Sequence, residues 1–265
     1  MRSINNVVDA SNFVMLELNQ PTHAYDLSAI DGGFLVRFAE PNETIVTLDG
    51  ATRELASSDI VIANGKNTAV GLGGVMGGLH SEVTPATTEI VLEAAWFPAD
   101  TVLASAARHG LRSEASARFE RGVDPFGAEN SAARFVEILQ LTCPDMVVCG
   151  APQVVANESC PLSLTNITLR LSQIMRVLGV SLSTTEVQTL IAPIGFVVQE
   201  KSSTEVSVGI PSWRPDCTSE VDVIEEIARH YGYDALGKSV PHSPVHERLS
   251  LVQQRRRLVH EVLVE

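Results

Sequence analysis

Four short apolar runs, FLVRFA, ETIVTL, DIVIA and TAVGLG, follow one another between Gly32 and Gly73, and they constrain this chain more than any other feature. Asp49-Gly50 and Asn64-Gly65 stand between them, and such dipeptides readily adopt the backbone conformations that close tight hairpins. The pattern predicts largely antiparallel β structure over 32–95 and makes a parallel dinucleotide-binding sheet a poor fit. The loop that follows, GLGGVMGG, is no nucleotide motif either. Starting G-x-G at Gly71 puts Met76 where a third glycine belongs, and no Gly-Lys-Ser/Thr follows. Glycines at 71, 73, 74, 77 and 78 let backbone approach a ligand closely, which is the signature of a pocket.

Just downstream, TEIVLEAAWF reads as a strand. Side chains alternate along it, so Glu89, Val91, Glu93 and Ala95 share one face, while Ile90, Leu92 and Ala94 share the other. A carboxylate among such neighbours is either an edge residue in water or a recognition group with a donor. Upstream, Ala10, Phe13, Val14 and Leu18 fall at helical spacing, and Pro21 forces a break into a loop, PTHAYD. Its His23 is a candidate site residue or an ordinary structural histidine. A helix over 101–109 has Asp100 as expected N-cap, Gly110 past its end, and Val102, Leu103, Ala106 and Ala107 as its buried stripe. The next run, ARHGLRSEASARFERGVDP, sets Arg108, Arg112, Arg118 and Arg121 among Ser113, Glu114, Ser116 and Glu120. It is a local basic patch that contacts a tRNA end or a solvated ion-pair network. Asp124-Pro125 opens a further core helix carrying Phe135 and Leu139.

Periodicity lapses over 141–162, which marks the link to a second domain. There the order is short strand, helix ending at Gly179, a capping box at Ser183-Thr184-Thr185-Glu186, a hairpin from FVVQEK and TEVSVGI, and a last helix SEVDVIEEIARHYGY. This order resembles a winged helix. DNA binding does not follow from it, because 163–240 holds six Lys/Arg against nine Asp/Glu. In the last helix Val221, Ile224, Ala228 and Tyr231 form the expected buried stripe. Asp216, Asp222, Glu225 and Glu226 are then either magnesium ligands or a solvated face with an i, i+4 Glu225–Arg229 pair. The terminal RLSLVQQRRRLVHEVLVE reads as an amphipathic helix cut short, and the opening segment reads as beginning in mid-structure.

With 19 Lys/Arg against 32 Asp/Glu the surface as a whole repels phosphate, so any nucleic-acid contact is local or supplied by a partner. Cys143, Cys149, Cys160 and Cys217 lack zinc or CxxC spacing, which fits reduced thiols in cytoplasm. No apolar run reaches the roughly 18 residues of a membrane span.

NNVVDASNFVMLELNQPTHAYD, GGVMGGLHSEV, VLEAAWF, ARHGLRSEASARFERGVDP and PSWRPDCTSEVDVIEEIARHYGYD occur in one order. Together they make the chain resemble the middle of the bacterial phenylalanine tRNA ligase beta subunit. The resemblance implies an α+β architecture: an editing domain over 1–160, a winged-helix-like domain over 163–240, and the start of a synthetase-core-like domain over 241–265. It implies an alpha2 beta2 heterotetramer whose alpha subunit charges phenylalanine tRNA using ATP, while the beta subunit binds the tRNA and hydrolyses mischarged tyrosyl-tRNA. Neither DNA nor membrane is an expected partner. It carries catalytic roles onto His23 and Glu93, with Glu93 receiving the tyrosine hydroxyl. Gly77, Ser113 and Ala115 are implied to line the pocket, Gly77 by keeping it open. Ser113 departs from the family's threonine, which bears on pocket volume. Asp216, Asp222, Glu225 and Glu226 are implied to hold Mg2+ at a site shared with the alpha subunit. The rival expectation is a non-catalytic scaffold for subunit assembly and tRNA positioning.

Overall fold

A computed structural model describes residues 2–158, 160–161, 163–237 and 249–264. The architecture is α+β, and every paired strand is antiparallel.

The first domain opens with helix α1, Asn6–Leu18. Asn5 caps it, its side chain accepting from the Val8 amide at 2.9 Å, and Asn19 ends it in a left-handed conformation. The expected stripe is out of phase by about one position. Ala10, Ser11, Val14 and Met15 are buried, whereas Phe13 and Leu18 are exposed. PTHAYD is not a loop. Thr22–Asp26 forms strand β1, which pairs with β8, Ile90–Ala94, in a two-stranded sheet. Its partner lies far along the chain, so no local turn signal announces it.

The hairpin signals hold. Strands β2 (Phe34–Phe38), β5 (Ile60–Asn64), β6 (Ala69–Leu72) and β7 (Met76–Gly77) form one sheet in that order, while β3 (Thr44–Val46) and β4 (Thr52–Glu54) pair around Asp49-Gly50. The alternation in β8 also holds, and both faces are used. Val91 and Ala95 pack on the main core with Val61, Leu72 and Phe97. Ile90 and Leu92 pack on a second cluster of Ala10, Val14, Phe135 and Leu139, built by α1 and helix α4 (Ala128–Gln140). Helix α2, Ala99–His109, starts two residues earlier than expected with Pro98 at its cap, and Leu103 is exposed where Ser105 is buried. Helix α3, Glu114–Phe119, is capped by Ser113.

The second domain has the expected order: β9 (Asn166–Arg170), α5 (Leu171–Leu178), α6 (Thr184–Ile191), the hairpin β10 (Val197–Glu200) and β11 (Glu205–Gly209), and α7 (Glu220–Tyr231). The sheet order is β10-β11-β9 around a core of Leu169, Ile174, Val187, Ile191, Val206, Val208 and Ile227. The capping box at Ser183 forms with Glu186. In α7 the stripe again turns, burying Val223, Ile224, Ile227 and Ala228 while Val221 is exposed. In the expected third segment, 241–248 lies outside the described residues, and helix α8, Leu251–Val264, buries none of its residues.

Candidate functional site

Making PTHAYD a strand is what assembles the site. In the β1–β8 ladder His23 lies directly opposite Glu93 and Tyr25 opposite Val91, so His23, Tyr25 and Glu93 project from one face. Tyr25 is buried, and its hydroxyl donates to Glu93 Oε2 at 2.6 Å. The His23 ring stands edge-on to the Tyr25 ring with centroids 4.5 Å apart. Glu93 as a residue keeps some solvent exposure, but its carboxylate is walled in. Burial pushes it up to about 7, against the Tyr25 hydrogen bond, which lowers it. The edge-residue alternative fails, because the carboxylate has a buried donor.

His23 Nε2 is buried without a hydrogen-bond partner, and burial brings the imidazole down to about 4, so it is neutral at pH 7. Its ring lies over Gly77, where any Cβ would collide with Nε2 and Cε1. Gly77 pairs across the ladder with Gly71, where a Cβ would sit 2.9 Å from the Tyr25 hydroxyl. The space above these glycines is therefore filled by the rings of β1. The other loop glycines also serve packing. Gly74, at φ +70°, meets Val102, Phe97 and Phe119, and Gly78 meets the Val70 carbonyl.

Ser113, the N-cap of α3, reaches the same loop, and Ala115 lies in the first turn of that helix. The Ser113 hydroxyl donates to the Val75 carbonyl and accepts from the Ser116 amide, both at 2.9 Å, while Ala115 packs on the main core. Ser113 thereby ties the start of α3 to the loop. Either hydroxyl amino acid at 113 can make both bonds, since each uses only the Oγ.

The basic run divides. Arg108 binds the fully buried Asp59, which also accepts from Ser105, the Ala56 amide and His109. Arg118 pairs with Glu114 at 2.8 Å. Arg112 and Arg121 both reach Glu120, at 3.8 and 3.5 Å, and Arg121 also donates to the Ala117 carbonyl, yet their side chains stay 76% and 66% exposed. Beside Arg121 a cavity of about 280 Å³ is lined by Asn19, Glu114, Ala117, Arg118 and Arg121.

The four acids of the second domain do not fit a metal centre as they stand. Arg214 makes a bidentate pair with Asp216 at 2.7–2.8 Å and also donates to Glu226 at 2.8 Å. Arg229 pairs with Glu226 at 2.7 Å, not with Glu225, which is exposed. Asp222 accepts from the Thr218 and Ser219 amides, at 3.0 and 2.7 Å, and caps α7. Among the described residues no group of three His, Cys, Asp or Glu converges as a metal site. Sequence reading missed Arg214, although a guanidinium two residues before Asp216 is the obvious rival for its charge. It also missed Tyr25, whose signal was its position two residues after His23.

Residues 1–144 match the B3/4 domain and residues 167–233 the tRNA synthetase B5 domain. The phenylalanine tRNA ligase beta subunit of Streptomyces avermitilis is 41% identical over 99% of this chain and 31% of its own length. That of Bifidobacterium longum is 40% identical over 100% of this chain and 31% of its own. An N-terminal fragment of the phenylalanyl-tRNA synthetase beta subunit from Pyrococcus horikoshii aligns over 86% of this chain and 65% of that fragment, at 14% identity and TM-score 0.43. The chain spans about a third of the length of the curated relatives it matches. Among the described residues no helix is long and apolar enough to cross a membrane. With a B3/4 domain followed by a B5 domain, the chain belongs to the phenylalanine tRNA ligase beta-subunit family.

Proposed function

We propose that this stretch of the beta subunit hydrolyses tyrosine mischarged onto phenylalanine tRNA, in a complex whose alpha subunit performs ATP-dependent charging. The observation that carries the reading is the walled-in Glu93 carboxylate opposite His23 on a glycine floor. An apolar pocket shaped for phenylalanine rejects an isostere with one added hydroxyl by only about a hundredfold. A site that hydrogen-bonds the hydroxyl discriminates by about 10⁴ or more. Glu93 supplies such an acceptor. The neutral His23, with Nε2 unpaired, orients the attacking water as the acyl side chain displaces the ring from Gly77. Water adds to the ester carbonyl carbon, the acyl–oxygen bond breaks, and free tyrosine and the tRNA's terminal hydroxyl are the products.

Arg112 and Arg121, two exposed cations around the single Glu120 they share, meet the tRNA backbone on a chain of net charge −13. No step runs through magnesium, because Arg214 already holds Asp216 and Glu226. The scaffold alternative draws on the His23 ring filling the floor. One assay decides between them: tyrosyl-tRNA deacylation by the complete ligase, wild type against Glu93→Ala. Loss of about 10²-fold or more in the variant supports editing. Equal rates leave the scaffold.

A further inference from the structure

The face that carries His23 and Glu93 holds a third polar group, the phenol of Tyr25, to which no role has been assigned. Three contacts fix it. The hydroxyl donates to Glu93 Oε2 at 2.6 Å, the ring meets His23 edge-on with centroids 4.5 Å apart, and it meets Phe34 at a tilt with centroids 5.1 Å apart. The hydroxyl has room because Gly71 lacks a Cβ. One placed there would sit 2.9 Å from it, whereas the next nearest atoms, of Ile62, are 3.7 Å away. A tyrosine hydroxyl on this carboxylate is the same chemical contact that a tyrosyl substrate would make.

We propose that Tyr25 is the positioning residue for tyrosine recognition: its phenol occupies one oxygen of Glu93, fixes the carboxylate's orientation, and keeps it an acceptor for the phenol of the incoming aminoacyl group. The inference rests on the editing reading. An ionised carboxylate accepts at both oxygens, so two phenols can bind it together. A protonated one offers a donor at one oxygen and pairs with a second phenol less selectively. Tyr25 favours the ionised form, since a donor to a carboxylate stabilises its charge. The titratable groups facing Glu93 are His23 across the ladder and Tyr25 beside it. His23 is neutral across the working range, and Tyr25, raised far above the ordinary phenol range by burial and by Glu93, stays protonated. Burial and the Tyr25 bond therefore set the balance at Glu93.

The sign follows directly. Selectivity for tyrosine is present above the pKa of Glu93 and lost as pH falls through it. Removing the phenol takes away a lowering influence, so the loss begins at higher pH. The experiment is deacylation of tyrosyl-tRNA and phenylalanyl-tRNA by the complete ligase from pH 6 to 9, for wild type, Tyr25→Phe, Glu93→Gln and the double variant. In Tyr25→Phe the tyrosine preference at pH 7 falls about fivefold, as the ionised share of Glu93 goes from about a half to about a tenth. Its midpoint moves up by about one pH unit. In the Glu93→Gln background, Tyr25→Phe has no further effect on preference. A Tyr25→Phe profile that overlays wild type overturns the proposal while leaving editing intact. A wild type that deacylates neither substrate overturns the editing reading itself.

A structural arm reads the place of the phenol by melting temperature, independently of activity. Gly71→Ala should destabilise wild type, and Tyr25→Phe should relieve that loss, because the hydroxyl is the atom the new methyl meets. Equal melting losses from Gly71→Ala in both backgrounds place the phenol elsewhere and overturn the proposal.

Discussion

Asp59→Ala is the most informative test of how the first domain is held together. Asp59 precedes β5, and its side chain is fully buried. It accepts from the Ala56 amide and Ser105 Oγ at 2.8 Å, from His109 Nε2 at 2.9 Å, and from Arg108. Three of these donors lie on the last turns of α2, so one carboxylate binds that helix to the sheet. Truncation leaves the buried Ser105 and His109 unpaired and the Arg108 guanidinium with only its bond to Ser58 Oγ, at 3.0 Å. Breaking a buried charged pair by deleting one partner costs about 3–5 kcal/mol. Arg108 is 37% exposed and can turn to water, which puts the expectation near the lower end, about 3 kcal/mol. For a chain of this size that is a fall of roughly 6–12 °C in melting temperature. Calorimetry of the chain and its Asp59→Ala variant reads the shift directly. A loss under about 2 °C would mean that the network is a consequence of α2 docking and not its cause. Burial alone would raise Asp59, yet its four donors hold it below the ordinary carboxylate value of 3.8. Its contribution is therefore present above that value and lost as pH falls through the lowered one, so the variant should show a shallower acid limb.

His23 and Glu93 make opposite pH demands on the same site. His23, depressed to about 4, adds stability above pH 6.5 that is lost as pH falls, whereas Glu93, raised to about 7, adds stability below pH 4.5 that is lost as pH rises. His23→Gln should therefore make denaturant midpoints fall between pH 4.5 and 7, and Glu93→Gln should make them rise between pH 4 and 6.5. Slopes of the same sign in both variants would contradict the burial of one of the two groups. Arg121→Ala should weaken tRNA binding and reduce the slope of log affinity against log salt by about 0.7–0.9, the signature of one phosphate contact. An unchanged slope in filter binding would return Arg121 to the solvated-surface reading.

What could be read from the sequence was whatever the chain states locally. Asp49-Gly50 and Asn64-Gly65 close their turns within a few residues, and the Ser183–Glu186 box caps its helix from inside itself. The alternation of β8 was legible too, because each of its faces meets apolar neighbours. β1 was not. Its five residues contain one β-branched side chain, Thr22, and its hydrogen bonds go to a strand 68 positions away at the Tyr25–Glu93 contact. The helix stripes slipped for a related reason. Small polar residues such as Ser11 and Ser105 are buried through hydrogen bonds to Thr22 and Asp59, which no apolar pattern registers. The acids of α7 were visible as a cluster, but which of them met Arg214 depended on how the helix turned.

The glycine floor shifts the domain's chemical identity away from the loop that looked responsible for it. Gly71 and Gly77 contribute no side chain, so whatever stands over them is chosen by β1, through alternate positions of a five-residue strand. That strand is tethered at both ends: Ser11 holds Thr22 through its carbonyl and hydroxyl, and Thr87 binds Asp26 at 2.5 Å. It behaves as a clamped tray with two exchangeable inserts. On the proposed editing reading, retuning the site toward a different acyl group falls to what is carried at 23 and 25 and at Glu93 opposite them, with the sheet beneath left untouched.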